Sequence, residues 1–268
     1  MKTNPRLDSL PFSIAASHPT DTFDEATATL LTEAAGAPVI CVNVHDAESV
    51  LEAPLHLRLE VMVDELEAER RRQGNRPWVF WGMSGGGWLG QLYARKFPDA
   101  VAGLILESSC PCFRARLADA SCILSPFNDA WRTTLSARRL IATRSHDEVG
   151  DLEATEWTEI ESVGSVFRRR GGPALLVSPM PIGPGMKRTM PALWSFDARD
   201  WLSALSIPTL VICGDADPVV PISHALDLHR AIAGAELAVI EGAGHVPTAQ
   251  RRPEAGEAVR RFLCNVRG

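Results

Sequence analysis

The chain has 268 residues, of which 46% are hydrophobic and 22% charged, with a net charge of −6. This is the composition of an ordinary folded domain, and the length suits one large α/β domain that buries enough apolar surface to need neither disulfide nor metal. The negative balance argues against nucleic acid as a partner, which calls for a basic footprint. No run approaches the ~18 apolar residues of a membrane span.

Short apolar runs alternate with amphipathic stretches of helical length, the rhythm of parallel strands joined by helices. Ser13–Ser17 (SIAAS) is a weak strand candidate that runs into His18-Pro19-Thr20. Asp24–Ala35 reads as a helix closed by Gly36, and Pro38–Val44 (PVICVNV) as a clear buried strand. Leu55–Gln73 carries Leu55, Leu59, Met62, Val63 and Leu66 on one helical face, with acids early and arginines late, an order that suits the helix dipole. Pro77–Met83 is a strand that enters Ser84-Gly85-Gly86-Gly87, and Trp88–Phe97 is the helix that follows. Val101–Leu106 is another buried strand, ending at Glu107.

From Cys110 to about Pro191 the strand rhythm disappears, and two Gly/Pro-rich passages interrupt helical pieces. We read this stretch as an insertion. Its triplet Arg168-Arg169-Arg170 reads as a solvated loop, with a site for an acidic substrate as the sharper alternative. The rhythm returns with Pro208–Cys213 (PTLVIC), a helix over Ser223–Ala233, a strand over Leu237–Ile240 and a last helix over about Pro253–Cys264.

The six cysteines form no CxxC pair and no metal-ligand spacing, so no metal site is expected. Cys41 and Cys213 sit in apolar runs, and Cys110, Cys112 and Cys122 are the only cluster. No apolar stretch of signal-peptide length follows the first residues, and a reducing cytoplasm is the expected setting.

The chemistry concentrates at three points. Gly82-Met83-Ser84-Gly85-Gly86 is a G-x-S-x-G run between a predicted strand and a predicted helix. A sharp turn there lifts the serine hydroxyl clear of the sheet, and the Gly85 N–H at the helix start is placed to donate to an oxyanion. The plain alternative is a glycine-rich turn that only packs closely. A serine needs a base. His245 closes Glu241-Gly242-Ala243-Gly244-His245 just past the last strand, whereas His224 and His229 fall within a helix, on its exposed side. The base needs an acid to orient it, and Asp217 in Gly214-Asp215-Ala216-Asp217-Pro218 is favoured because it lies deeper in the turn. Asp215 is read as an Asx turn bonding local backbone, and Glu107 is a second acid in reach.

With GMSGG at 82–86, PTLVICGDADPVVP at 208–221 and GAGH at 242–245, the chain resembles the α/β-hydrolase superfamily. The resemblance covers roughly Ser13–Ser109 and Phe196 to the C-terminus. It implies an α/β fold with a mostly parallel central sheet flanked by helices, a core domain of residues 1–109 and 195–268, and a helical cap insertion of residues 110–194 over the site. In that cap, Trp194, Trp131, Phe127 and Met180 are candidate substrate liners. Two departures stand out. Few residues precede the first strand, so the usual antiparallel edge is shortened or missing. Where relatives often carry His-Gly, this chain has His18-Pro19-Thr20; Pro19 has no N–H, which leaves Thr20 as the second oxyanion donor and His18 as structural.

The implied activity is hydrolysis of a small ester, lactone or thioester through an acyl-Ser84 intermediate, with no metal or organic cofactor. Acyl transfer, C–C or amide cleavage with the same triad, and a ligand receptor with slow turnover are the alternatives. The expected partner is a small-molecule substrate, not a nucleic acid or a membrane, and a homo-oligomer is left open.

Overall fold

The computed structural model describes residues 10–17, 25–122, 125 and 189–266. Its centre is a sheet of six strands, all parallel: β1 (Ser13–Ser17), β2 (Val39–Cys41), β3 (Trp78–Met83), β4 (Val101–Glu107), β5 (Thr209–Gly214) and β6 (Glu236–Ile240). Their spatial order is β2-β1-β3-β4-β5-β6. The order begins one strand in from an edge at β1, steps outward to β2, then crosses back to β3 and proceeds to the other edge. The reversal lies between β1 and β3, and in an open parallel sheet the crevice beyond the strand ends at such a reversal is where ligands bind.

Alternation along the strands sorts side chains into two cores. On one face Trp78, Phe80, Leu104, Leu106, Val211 and Cys213 meet α3 (Arg58–Arg72), α4 (Gly85–Lys96) and α6 (Ile222–Ala231). On the other, Ile14, Ala16, Val79, Trp81, Ile105, Leu210 and Ile212 meet α1 (Glu25–Ala35) and α8 (Arg252–Val266). Each fully buried Leu, Ile or Phe in these layers stabilises the fold by about 1.5–3 kcal/mol. The shorter helices are α2 (Glu48–Glu52), α5 (Phe113–Ala118) and α7 (Pro247–Gln250).

A polar clamp fastens α3 to α4. Glu67, buried, accepts from Arg70 Nε at 2.8 Å, Arg71 Nε at 2.7 Å and the Tyr93 hydroxyl at 2.8 Å. The Arg70 hydrogen bond, opposed by burial, holds the Glu67 carboxyl down at about 2.

Several sequence expectations change. The buried strand expected over 38–44 is only Val39–Cys41 and is half-buried, because it is the sheet's outer strand, with β1 as its neighbour. Its pairing runs on one step, from Val42 N–H to the Ala16 carbonyl at 2.8 Å. The helix expected from Leu55 opens instead as a 3-10 turn over Leu55–Leu57 before α3. The helix expected to begin at Trp88 begins at Gly85, so the glycine triplet forms its first turn. Among the described residues the sheet has no antiparallel strand beyond β2.

The two ends of the segment read as an insertion are tied to each other beside the core. Ala198 N–H donates to the Pro111 carbonyl at 2.8 Å, Phe113 N–H donates to the Phe196 carbonyl at 3.1 Å, and Cys112 bridges Asp197 in antiparallel fashion. Phe113 stands edge-on to Trp88, ring centroids 5.3 Å apart. Residues 126–188 lie outside the described residues.

Candidate active site

Ser84 sits between β3 and α4 with φ 49° and ψ −116°. Two backbone hydrogen bonds hold it there: its N–H donates to the Glu107 carbonyl at 2.8 Å, and its own carbonyl accepts from Gly87 N–H at 3.0 Å. The turn is possible because the chain doubles back tightly. A Cβ on Gly82 would lie 2.4 Å from the Gly86 carbonyl oxygen, a backbone atom that cannot step aside. The Gly85 N–H opens α4, where the unsatisfied N–H groups of a helix start face outward.

His245 arrives from the turn after β6. Asp215 Oδ1 accepts from Gly242 N–H at 2.7 Å, and Ala216 N–H donates to the Ala243 carbonyl at 3.0 Å. Asp215 therefore bonds the histidine-bearing turn across the site, and not the local backbone of an Asx turn. Gly214, at the end of β5, allows this contact: a Cβ there would sit 2.2 Å from the Ala243 carbonyl oxygen.

The three side chains meet in a line. His245 Nδ1 is 2.9 Å from Asp217 Oδ2 and 3.2 Å from Oδ1, and its Nε2 is 3.1 Å from Ser84 Oγ. A carboxylate only accepts, so Nδ1 carries the proton and Nε2 is left to accept from the serine hydroxyl. Asp217 is itself fixed, since its Oδ1 accepts from Val219 N–H at 2.8 Å and Val220 N–H at 3.0 Å. The Asp217 side chain is fully buried and that of His245 nearly so, while Ser84 is only half-buried. A proton can thus pass from Oγ to Nε2 while the imidazolium that forms faces a buried carboxylate.

Glu107, the other acid weighed, is turned to different partners. Its Oε1 accepts from Thr248 N–H at 3.0 Å and Thr248 Oγ1 at 2.7 Å, and its Oε2 from Trp81 Nε1 at 2.9 Å. Burial pushes its carboxyl above the usual range, against the pull of these donors and of His245. His229 is exposed, but His224 is buried, with Nε2 3.4 Å from Asp119 Oδ2, which corrects its expected place on the open side of the helix. Burial lowers the His224 pKa, Asp119 opposing it.

Thr20, His18, Phe127, Trp131, Met180 and the triplet 168–170 lie outside the described residues, as does the side chain of Trp194, whose backbone falls in a 3-10 turn over Met190–Ser195. None of the six cysteines is joined in a disulfide. Burial pushes the Cys110 thiol up to about 11, and the Cys122 thiol donates to the Val219 carbonyl at 3.1 Å, bracing the turn that holds Asp217. Among the described residues, no group of three or more His, Cys, Asp and Glu could hold a metal ion. Sequence reasoning missed Thr248, Trp81 and the Val219–Val220 backbone. Only the small polar residue three positions after His245 offered any signal.

Comparison with known proteins adds to this geometry. The model of the alpha/beta hydrolase family matches residues 17–258. The pimeloyl-[acyl-carrier protein] methyl ester esterase of Hamiltonella defensa is 29% identical over 178 residues, which span 63% of this chain and 62% of that relative. The enzyme of the same name from Aliivibrio salmonicida is 27% identical over 204 residues, covering 75% of this chain and 74% of its own. Among solved structures, an alpha/beta fold family hydrolase from Bacillus anthracis superposes with a TM-score of 0.67 at 16% identity, covering 93% of this chain and 91% of that one. At that identity the likeness speaks for the fold alone.

Proposed function

The chain belongs to the α/β-hydrolase family, and from that premise we propose that it is a serine hydrolase cleaving a small ester, lactone or thioester through an acyl-Ser84 intermediate. One observation carries the reading: the unbroken hydrogen-bonded line Asp217–His245–Ser84, with 2.9 and 3.1 Å links, at a strained turn on the end of β3.

In this mechanism His245 Nε2 takes the Ser84 proton as Oγ attacks the substrate carbonyl carbon. The tetrahedral oxyanion is held by the Gly85 N–H and, as the resemblance implies, the Thr20 N–H; one such donor is typically worth ~10²–10³ in turnover. His245 then hands its proton to the departing alcohol or thiol. Next it deprotonates a water, which attacks the acyl carbon; as the acyl–Oγ bond breaks, His245 returns that proton to Ser84 Oγ and the acid leaves. Asp217 holds the Nδ1–H tautomer throughout and stabilises the imidazolium.

The ester-hydrolysing relatives favour a carboxylic ester, including a methyl ester, as substrate. Residues 110–194, whose flanking segments are tied to each other at Pro111–Phe113 and Phe196–Ala198, are proposed as a cap over the site, with Trp194, Trp131, Phe127 and Met180 as liners. Six cysteines without a disulfide favour a reducing compartment such as the cytoplasm. No helix among the described residues is long and apolar enough to cross a membrane.

The test is covalent. The pure protein treated with a fluorophosphonate gains one adduct, located by mass spectrometry at Ser84 and lost in Ser84→Ala and His245→Ala, and the wild-type protein turns over short-chain p-nitrophenyl esters repeatedly. An adduct elsewhere, or one slow turnover with tight retention of product, would overturn the hydrolase assignment in favour of a binding role.

A further inference from the structure

Glu107 is a fully buried carboxyl that the mechanism above leaves idle, yet it touches both halves of the reacting pair. Its backbone carbonyl accepts the Ser84 N–H at 2.8 Å. Its side chain reaches to the segment just past His245, where Thr248, also fully buried, donates both its N–H and its hydroxyl to Oε1 at 3.0 and 2.7 Å. The remaining oxygen accepts from Trp81, three residues before Ser84 on β3. One residue thus bridges the strand that presents the nucleophile and the helix turn, α7, that follows the base.

Packing alone does not account for a carboxyl at this position. Burying a carboxyl in an apolar layer costs several kcal/mol unless its partners are well placed, and an apolar side chain of similar volume is often as stable. What an apolar side chain cannot do is grip two donors of Thr248 and so set where the His245 turn rests. On the other side that turn is tied by Asp215 and Ala216. Glu107 supplies the second tie, and two ties fix the position of a hinge-like turn where one leaves it to pivot.

We propose that Glu107 is a positioning residue for the hydrolysis: through Thr248 it holds His245 at hydrogen-bonding distance from Ser84 without touching substrate. This rests on the serine-hydrolase reading of the same site. A misplacement of about 1 Å in such a pair costs up to ~10²-fold in rate. In Glu107→Gln the amide oxygen can still face Thr248, but its NH₂ then confronts the Trp81 Nε1–H, donor against donor. Removing that donor as well, in Glu107→Gln/Trp81→Phe, relieves the conflict and returns the grip on Thr248.

The experiment measures kcat and KM on a p-nitrophenyl ester, per active site titrated with the fluorophosphonate, beside thermal melts. The expected result is a kcat per site about tenfold lower in Glu107→Gln with KM unchanged, partly regained in the double variant. Thr248→Val, which loses only the hydroxyl donor, should show a smaller loss of the same kind and serves if the Gln protein does not fold. A kcat per site within twofold of wild type in the folded variants, whatever their melting temperature, would overturn the positioning role and leave Glu107 as framework. A wild-type protein that neither labels at Ser84 nor turns over ester would bring down the hydrolase reading and this inference with it, so the two failures are told apart by the wild type alone.

Discussion

At φ 49° Ser84 occupies backbone space that a residue with a side chain enters at a cost of about 1–3 kcal/mol. The strain is held by hydrogen bonds to β4 and to its own helix, and its effect is to stand Oγ where His245 Nε2 reaches it. Asp217 works through the opposite means, a relaxed turn in which two backbone N–H groups aim one carboxylate oxygen. The distinction bears on what Asp217→Asn will do. The amide keeps the shape, and its oxygen can still accept from Val219 and Val220. Its NH₂ then points at Nδ1, which must give up its proton to accept, and the proton moves to Nε2, where it blocks acceptance from Ser84. We expect kcat to fall by about 10³–10⁴ with KM little changed, and labelling by the fluorophosphonate to slow in parallel. Steady-state kinetics on a p-nitrophenyl ester checks this; a loss under tenfold would mean that the carboxylate is not orienting the base.

At the scale of elements, the site depends on two turns that lean on each other. The Asp217 turn after β5 and the His245 turn after β6 meet where Gly214 leaves no room for a Cβ. Gly214→Ala places a methyl group 2.2 Å from the Ala243 carbonyl oxygen, and the turns must separate. The Ala216–Ala243 hydrogen bond lies in the same contact. The protein should lose about 1–3 kcal/mol by overpacking, and activity should fall by a larger factor than stability explains, as read by kcat per titrated site beside the melting temperature.

The strand–turn–helix context of Ser84 and the order of elements were legible because each is written in a short stretch. SIAAS was legible only as a weak strand, although β1 pairs with both β2 and β3, because its small residues carry little of the β-branched signal that marks strands. The full length expected of β2 failed for the opposite reason: its apolar run is strong, but the outer strand of a sheet has only one neighbour to extend along. The grip of Glu107 on Thr248 spans 141 residues, and no local pattern encodes such a distance. His224 was misjudged because a helical wheel shows one apolar face, while Asp119, beyond α5, covers a second side of α6.

Over the whole molecule, two buried carboxyls set opposite responses to pH. Glu107 is pushed upward by burial against the pull of its three donors, so its contribution weakens as pH rises through its folded pKa. Glu67 is held down at about 2, first by the Arg70 hydrogen bond, then by Tyr93 and Arg71 against the opposing effect of burial. Its folded pKa lies below the ordinary 4.5, so its stabilisation is complete above that value and is lost as pH falls toward about 2. The clamp is not a surface ornament, since Glu67 and Arg70 are both buried and Arg70 also donates to the carbonyls of Asn75 and Arg76, which lead into β3. Replacing Glu67 by Gln keeps the shape and removes the charge. At pH 7 that should cost about 2 kcal/mol, the range for hydrogen bonds to a charged group, or about 4–8 °C in Tm for a chain of this size. As the pH is lowered from 4.5 to 2 the wild-type melting temperature should descend toward that of Glu67→Gln, because both chains then carry a neutral group opposite Arg70. Melts recorded across that window read the convergence directly, and curves that stay parallel would place the acid sensitivity of the fold in other carboxylates.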